Sequence, residues 1–122
     1  MATSILNLDI EAGVDFYFDA QYTDYTTNLP KDLTGYHATM ELRYEWDDPR
    51  ILLVLSDVNN GILLGGITGV LTTHFTPAMT NPNQQTPYSW DRAVYDLIIT
   101  DINGVKTKLL KGFVNVSGTV SY

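Results

Sequence analysis

The sequence predicts an all-β fold, a sandwich or small barrel of short strands, and three observations carry it. Apolar and polar residues alternate with period two along several stretches. Asn-Gly, Gly-Gly and Asp-Pro signals separate those stretches at close intervals. No apolar face recurs at the 3.6-residue period over a helix of useful length; at most one short helical turn is expected.

Ile5, Leu6, Leu8 and Ile10 mark a first strand. From Val14 to Tyr22 the alternation is clearest. Val14, Phe16, Phe18 and Ala20 share one face; Asp15, Tyr17, Asp19 and Gln21 share the other. A polar loop spans Thr23 to Gly35. The next strand, Tyr36 to Glu45, turns Tyr36, Ala38, Met40, Leu42 and Tyr44 to one side and His37, Thr39, Glu41, Arg43 and Glu45 to the other. Asp47-Asp48-Pro49 ends it. Ile51 to Leu55 is a short apolar run, which predicts a strand covered on both faces.

Asp57-Val58-Asn59-Asn60-Gly61 reads as a hairpin turn, because Asn and Gly both tolerate positive φ. Ile62 to Leu64 and Ile67 to Phe75 follow as strands, joined at Gly65-Gly66. Thr76 as N-cap and Pro77 at the first helical position predict one turn of helix over Pro77 to Thr80. Asn81 to Tyr88 is a loop. Ala93 to Thr100, the turn Asp101-Ile102-Asn103-Gly104, and a long strand from Val105 to Val116 with its bend at Gly112 complete the chain.

With 122 residues and 44% hydrophobic content, the chain suits one domain over 1–122 with its own core. Its net charge of −7 argues against a nucleic-acid surface, which needs cations for phosphates. That charge sits in residues 1–50; the remainder is neutral, and Lys106, Lys108 and Lys111 lie near its end. An acidic half and a basic strand are complementary between subunits, or are the solvated faces of amphipathic strands. The opening residues lack a basic stretch followed by an apolar run, so no secretory leader is expected. No apolar stretch is long enough to span a bilayer as a helix. Asn115-Val116-Ser117 matches a glycosylation triplet, but with no secretory leader expected its use is not expected either.

Chemistry-bearing patterns are sparse. Cysteine is absent, which removes disulfides, thiol nucleophiles and Cys-ligated metals. Gly65-Gly66-Ile67-Thr68-Gly69 has neither the lysine nor the following helix of a phosphate loop. Asp47 and Asp48 are adjacent, which on a strand points them to opposite faces and favours a turn over a catalytic pair. Asp57 to Gly61 lacks the spacing of a calcium loop. His37 and His74 sit in strands without a visible nucleophile. No cofactor, no metal site and no enzymatic activity are expected.

Aromatics are the more informative set. Trp46, Tyr88, Trp90 and Tyr25 fall in or beside loops, where exposed rings anchor protein or carbohydrate contacts. Trp46 and Trp90 also suit the role of plugs at the open ends of a sandwich. Lys106 and Lys108, on an exposed strand, and the N-terminal segment are candidate edges for pairing with a neighbour.

The order of motifs carries a resemblance. It runs from Gly13-Val14-Asp15-Phe16 through Asp32-Leu33-Thr34-Gly35-Tyr36 and Ala38-Thr39-Met40-Glu41-Leu42-Arg43 to Ile51-Leu52-Leu53-Val54-Leu55-Ser56 and Gly61-Ile62. Tyr95-Asp96-Leu97-Ile98-Ile99, Asp101-Ile102-Asn103-Gly104-Val105 and Leu109-Leu110-Lys111-Gly112-Phe113-Val114-Asn115-Val116 follow. Over nearly the whole chain this resembles a family of small tailed-phage virion proteins. It is also similar to the N-terminal attachment domain of phage upper baseplate proteins. The segment Thr76 to Trp90 is longer and more polar than that pattern. The resemblance implies an Ig-like antiparallel β-sandwich of about seven to nine strands. It implies a non-enzymatic adaptor of the tail, baseplate or fibre attachment, located in the virion and assembled in the host cytoplasm. Its partners would be other virion proteins and copies of itself in a symmetric assembly, with neither nucleic acid nor membrane. A capsid or neck decoration protein and a carbohydrate- or receptor-binding module are the alternatives; a glycan partner is the less favoured.

Overall fold

A computed structural model describes residues 4–24, 26–85 and 88–118. Two sheets face each other across an apolar core. The larger contains β1 (Ser4–Ile5), β2 (Leu8–Glu11), β6 (His37–Arg43), β7 (Leu53–Ser56), β10 (Arg92–Thr100) and β11 (Lys106–Ser117). The smaller contains β3 (Phe16–Gln21), β8 (Ile62–Leu64) and β9 (Val70–Phe75). A ribbon of β4 (Thr23–Asp24) and β5 (Leu29–Pro30) projects from the loop after β3. The helical turn α1 (Pro77–Thr80) has Thr76 at its N-cap and Pro77 at its first position, as the sequence predicts.

The order in the large sheet is β1 and β2, then β11, β10, β6 and β7; in the small sheet it is β3, β9, β8. All neighbours are antiparallel except β1 and β2, which run parallel to β11. No ladder among the described residues joins the two sheets, so the fold is a sandwich and not a barrel. Period-two patterning explains the core. β6 turns Ala38, Met40 and Leu42 inward, β10 turns Ala93, Tyr95, Leu97 and Ile99, and β9 turns Leu71, Thr73 and Phe75.

Several local expectations are overturned. Asp57 to Gly61 is not a hairpin turn: it carries the chain from β7 in one sheet to β8 in the other. Asn60 does take positive φ, at 67°. Gly61 is required by proximity, since a Cβ there would lie 2.7 Å from Leu55 Cδ2. Ile51 to Leu55 is not covered on both faces. β7 is the sheet edge, with Leu55 inward and Val54 exposed. Ile67 belongs to a 3₁₀ turn over Gly66–Thr68 and is exposed, so the strand starts at Val70. Val14 is exposed ahead of β3 and does not join the inward face of Phe16, Phe18 and Ala20.

Gly112 is not the bend. The irregularity in β11 is at Leu109, where the pairing with β10 slips between Leu97↔Leu110 and Ile98↔Lys108. Gly112 stays paired with Tyr95, and its missing side chain makes room for the Leu6 backbone, whose carbonyl a Cβ would strike. Here β1 and β2 form one interrupted strand. Ser4↔Leu110 and Leu8↔Val114 share a single register, broken at Leu6 and Asn7. Three hydrogen bonds hold the break: Leu6 N donates to Lys111 O at 3.0 Å, Phe113 N to Asn7 Oδ1 at 3.0 Å, and Tyr95 Oη to Leu6 O at 2.6 Å. Burial pushes the Tyr95 phenol up to about 12, so the hydroxyl remains a donor throughout the physiological range.

Candidate interaction surface

The outer face of the large sheet bears an aromatic groove of about 430 Å³. Trp46 lies in the turn after β6, and Phe113 projects outward from β11 because Val114 beside it faces the core. Their rings meet edge to face, centroids 6.5 Å apart, and each residue is 49% exposed. Beneath them is Val94, on the outward parity of β10 yet only 6% exposed. Glu45, Asp47 and Arg92 rim the groove with charges of both signs.

The loop bearing Trp46 is braced from within. Arg43 Nη1 donates to Asp48 O at 2.7 Å, and its Nη2 reaches Glu41 Oε1 at 3.1 Å. Arg50 grips Asp48 with a fork: Nε to Oδ1 at 3.0 Å and Nη2 to Oδ2 at 2.8 Å. These Arg50 hydrogen bonds hold the Asp48 carboxyl down at about 2. The same guanidinium stands 4.9 Å from the Tyr44 ring centroid and 5.9 Å from that of Tyr88. Tyr44 Oη donates to Ser89 O at 2.6 Å, tying this loop to the one before β10.

The candidates from sequence part company here. Trp46 and Tyr88 lie on the exposed surface of this end, as expected of contact residues. Trp90 is 7% exposed and belongs to the core, so it is a plug and not a contact. Its backbone is clamped by Gln85, which accepts from Trp90 N at 2.9 Å and donates to Trp90 O at 2.9 Å. Tyr25 lies outside the described residues. Lys106 is exposed where β11 begins, opposite Thr100, and Lys108 pairs with Asp96 at 3.5 Å. Both are on the first stretch of β11, where β10 is the one ladder partner among the described residues; β1 and β2 join β11 only from Leu110 onward, and that N-terminal segment is itself the outer edge of the large sheet. Sequence reasoning missed Phe113, although its parity opposite Val114 and Val116 was readable. It also missed Arg50, whose role depends on loop geometry.

Both histidines are held by carboxylates. His37 Nδ1 is 2.8 Å from Asp57 Oδ2, and His74 Nε2 is 2.7 Å from Asp15 Oδ1. Tyr17 stacks on His74 at 4.2 Å. Among the described residues, neither imidazole meets a serine or threonine hydroxyl, so neither pair extends to a nucleophile. No cluster of three or more metal-ligating side chains occurs among them either.

These features define an Ig-like β-sandwich that carries a braced aromatic surface. No protein-family model and no curated protein matches the chain. Solved structures do. One describes parallel homodimers of the extracellular domain of the voltage-gated sodium channel beta4 subunit, in relation to cell–cell adhesion. It is 10% identical with a TM-score of 0.55, and the match covers 98% of this chain and 97% of that one. Another concerns multimeric cell-adhesive interactions of voltage-gated sodium channel beta subunits, at 9% identity and a TM-score of 0.53, covering 93% and 92%. The likeness is one of fold.

Proposed function

We propose that this chain is a non-enzymatic structural module of a tailed-phage virion, an adaptor at the tail, baseplate or fibre attachment. It works by protein contact and by association with copies of itself. The observation that carries this reading is the exposed Trp46–Phe113 pair over Val94, held by a loop in which Asp48 and Arg50 satisfy each other. A rigid aromatic patch loses little side-chain entropy on docking, the property that makes such residues interface anchors. The order of motifs from Gly13 to Val116 supports the virion setting. The structural neighbours, described as homodimeric and multimeric adhesion domains, support self-association through such a sandwich. In a symmetric assembly, weak contacts of this kind gain strength by repetition.

Quantitative mass spectrometry of purified particles, beside the soluble fraction of the lysate, tests the reading. A low, fixed copy number is expected, and a Trp46→Ala/Phe113→Ala double variant should lose roughly tenfold or more in incorporation while remaining folded. Far higher copy numbers would indicate capsid decoration. Absence from particles with abundance in the soluble fraction would overturn the virion role. A glycan that shifts Trp46 fluorescence would then favour a receptor-binding module.

A further inference from the structure

The small sheet ends at β3, and none of the described residues pairs with the far side of that strand. The register identifies the groups left open. Tyr22 N donates to Gly69 O at 2.8 Å, which continues the pairs Phe16–Phe75, Phe18–Thr73 and Ala20–Leu71 as those that exchange hydrogen bonds with β9. The main-chain N–H and C=O of Tyr17, Asp19 and Gln21 therefore point outward, away from the sheet. The other edges are interrupted, capped or short. β1 and β2, which form the far edge of the large sheet, are broken at Leu6 and Asn7; the stretch of β11 ahead of Leu110 that has β10 alone beside it among the described residues is brief; a side chain occupies the edge of β7; and β8 is three residues long.

We propose that the outer edge of β3 receives an extended segment of another protein as an added strand, and that this segment alternates basic with apolar residues. An added strand continues the pleat, so its side chains fall alternately on the two faces of the sheet. On the core side they meet Phe16 and Phe18, which are only half-buried because the sheet stops there. On the outer side they meet Asp19, which has no ion-pair partner among the described residues, and Asp15, already bonded to His74. Opposite charges across a ladder stabilise it, and like charges destabilise it.

That rule works against a second copy of β3 as the occupant. The two-fold antiparallel register that pairs all three open residues sets Tyr17 against Gln21 and Asp19 against Asp19. Shifting it by one step in either direction keeps the two Asp19 carboxylates diagonal to each other. The edge belongs to the sheet opposite the Trp46 groove, so this proposal stands or falls separately from the reading above.

The test uses the full chain and three terminally blocked peptides of about nine residues, long enough to cover a strand. One alternates Lys and Val, one alternates Glu and Val, and one is the Lys–Val peptide with alternate backbone nitrogens methylated. The expected result is that only the unmethylated Lys–Val peptide binds. At nine-tenths occupancy it should slow hydrogen exchange at the Tyr17, Asp19 and Gln21 amides about tenfold. Salt weakens the complex, and Asp19→Lys weakens it about fivefold. Any of four results overturns the proposal: those amides already protected in the free protein, equal binding of the Glu–Val or methylated peptide, spectral changes centred on Trp46, or no binding at millimolar Lys–Val peptide.

Discussion

The edges at β7 and β3 show two treatments of the same problem. Each ends a sheet, and each has alternate main-chain groups that its one neighbour leaves unpaired. At β7 the side chain of Asn59 imitates a further strand. Its Nδ2 donates to Val54 O at 2.9 Å, and its Oδ1 accepts from Ser56 N and Gly61 N, each at 2.9 Å. The crossover between sheets folds back to deliver that amide, and Asp57 pins its start by accepting from Ala38 N at 3.0 Å. At β3 no side chain plays that part among the described residues. The N-terminal segment, which is the available strand to cover it, lies instead on β11. A sheet edge is therefore closed by what the adjoining loop brings back to it; the strand's own composition does not close it.

The largest effect is expected where the N-terminal strand is held on β11. Gly112→Val drives a side chain into the Leu6 backbone and should cost about 3 kcal/mol, seen as a melting temperature lower by roughly 10 °C in calorimetry. If the freed segment then covers β3, exchange at the Tyr17 and Asp19 amides slows while exchange along β11 accelerates, and the two edges trade places. An unchanged melting temperature would refute the close approach.

Asn59→Ala opens the sealed edge. The loss of three hydrogen bonds on an exposed loop should cost about 1 kcal/mol. Exchange at Ser56 N should rise to the level of the β3 amides, and sedimentation should report more self-association. If Ser56 stays protected, the Asn59 cap is not what seals β7.

Thr73→Val tests the sheet that carries the open edge. Thr73 is fully buried in the middle of β9, and its hydroxyl has no hydrogen-bond partner. Replacing that hydroxyl with a methyl should stabilise the protein by about 1 kcal/mol in urea titration. Destabilisation would show that the hydroxyl is satisfied after all.

Acid gives the smallest and most local contrast. Burial works to raise the Asp57 pKa, but hydrogen bonds from His37 and the Ala38 amide, with the charge of His37, bring it below the ordinary 3.8. A lowered carboxyl stabilises the fold above its unfolded value, and that contribution disappears as pH falls through the folded value. Exchange at Ala38 should therefore accelerate below about pH 4 in the wild type. In Asp57→Asn that extra acceleration should be missing. The same sign applies to Asp48, which loses its grip on Arg50 only as pH approaches about 2.

The sequence by itself determined the all-β class, the inward face of β6 and that of Phe16, Phe18 and Ala20 in β3, the turn of helix after Thr76, and the hairpin at Asp101 to Gly104. Alternation and capping are local, and burial of one face rewards them wherever the strand ends up. Tyr88 was readable as a surface aromatic because it ends a polar loop. Tertiary structure alone decided that Asn60-Gly61 joins opposite sheets, since a positive φ permits a turn without choosing the partner strand. It decided that Trp90 is core while Trp46 is surface, because burial depends on which loops close over each ring. It decided that Gly112 serves a close approach from a strand more than a hundred residues earlier and that β3 is left open. Contacts this distant in sequence leave no periodic trace in the strands that make them.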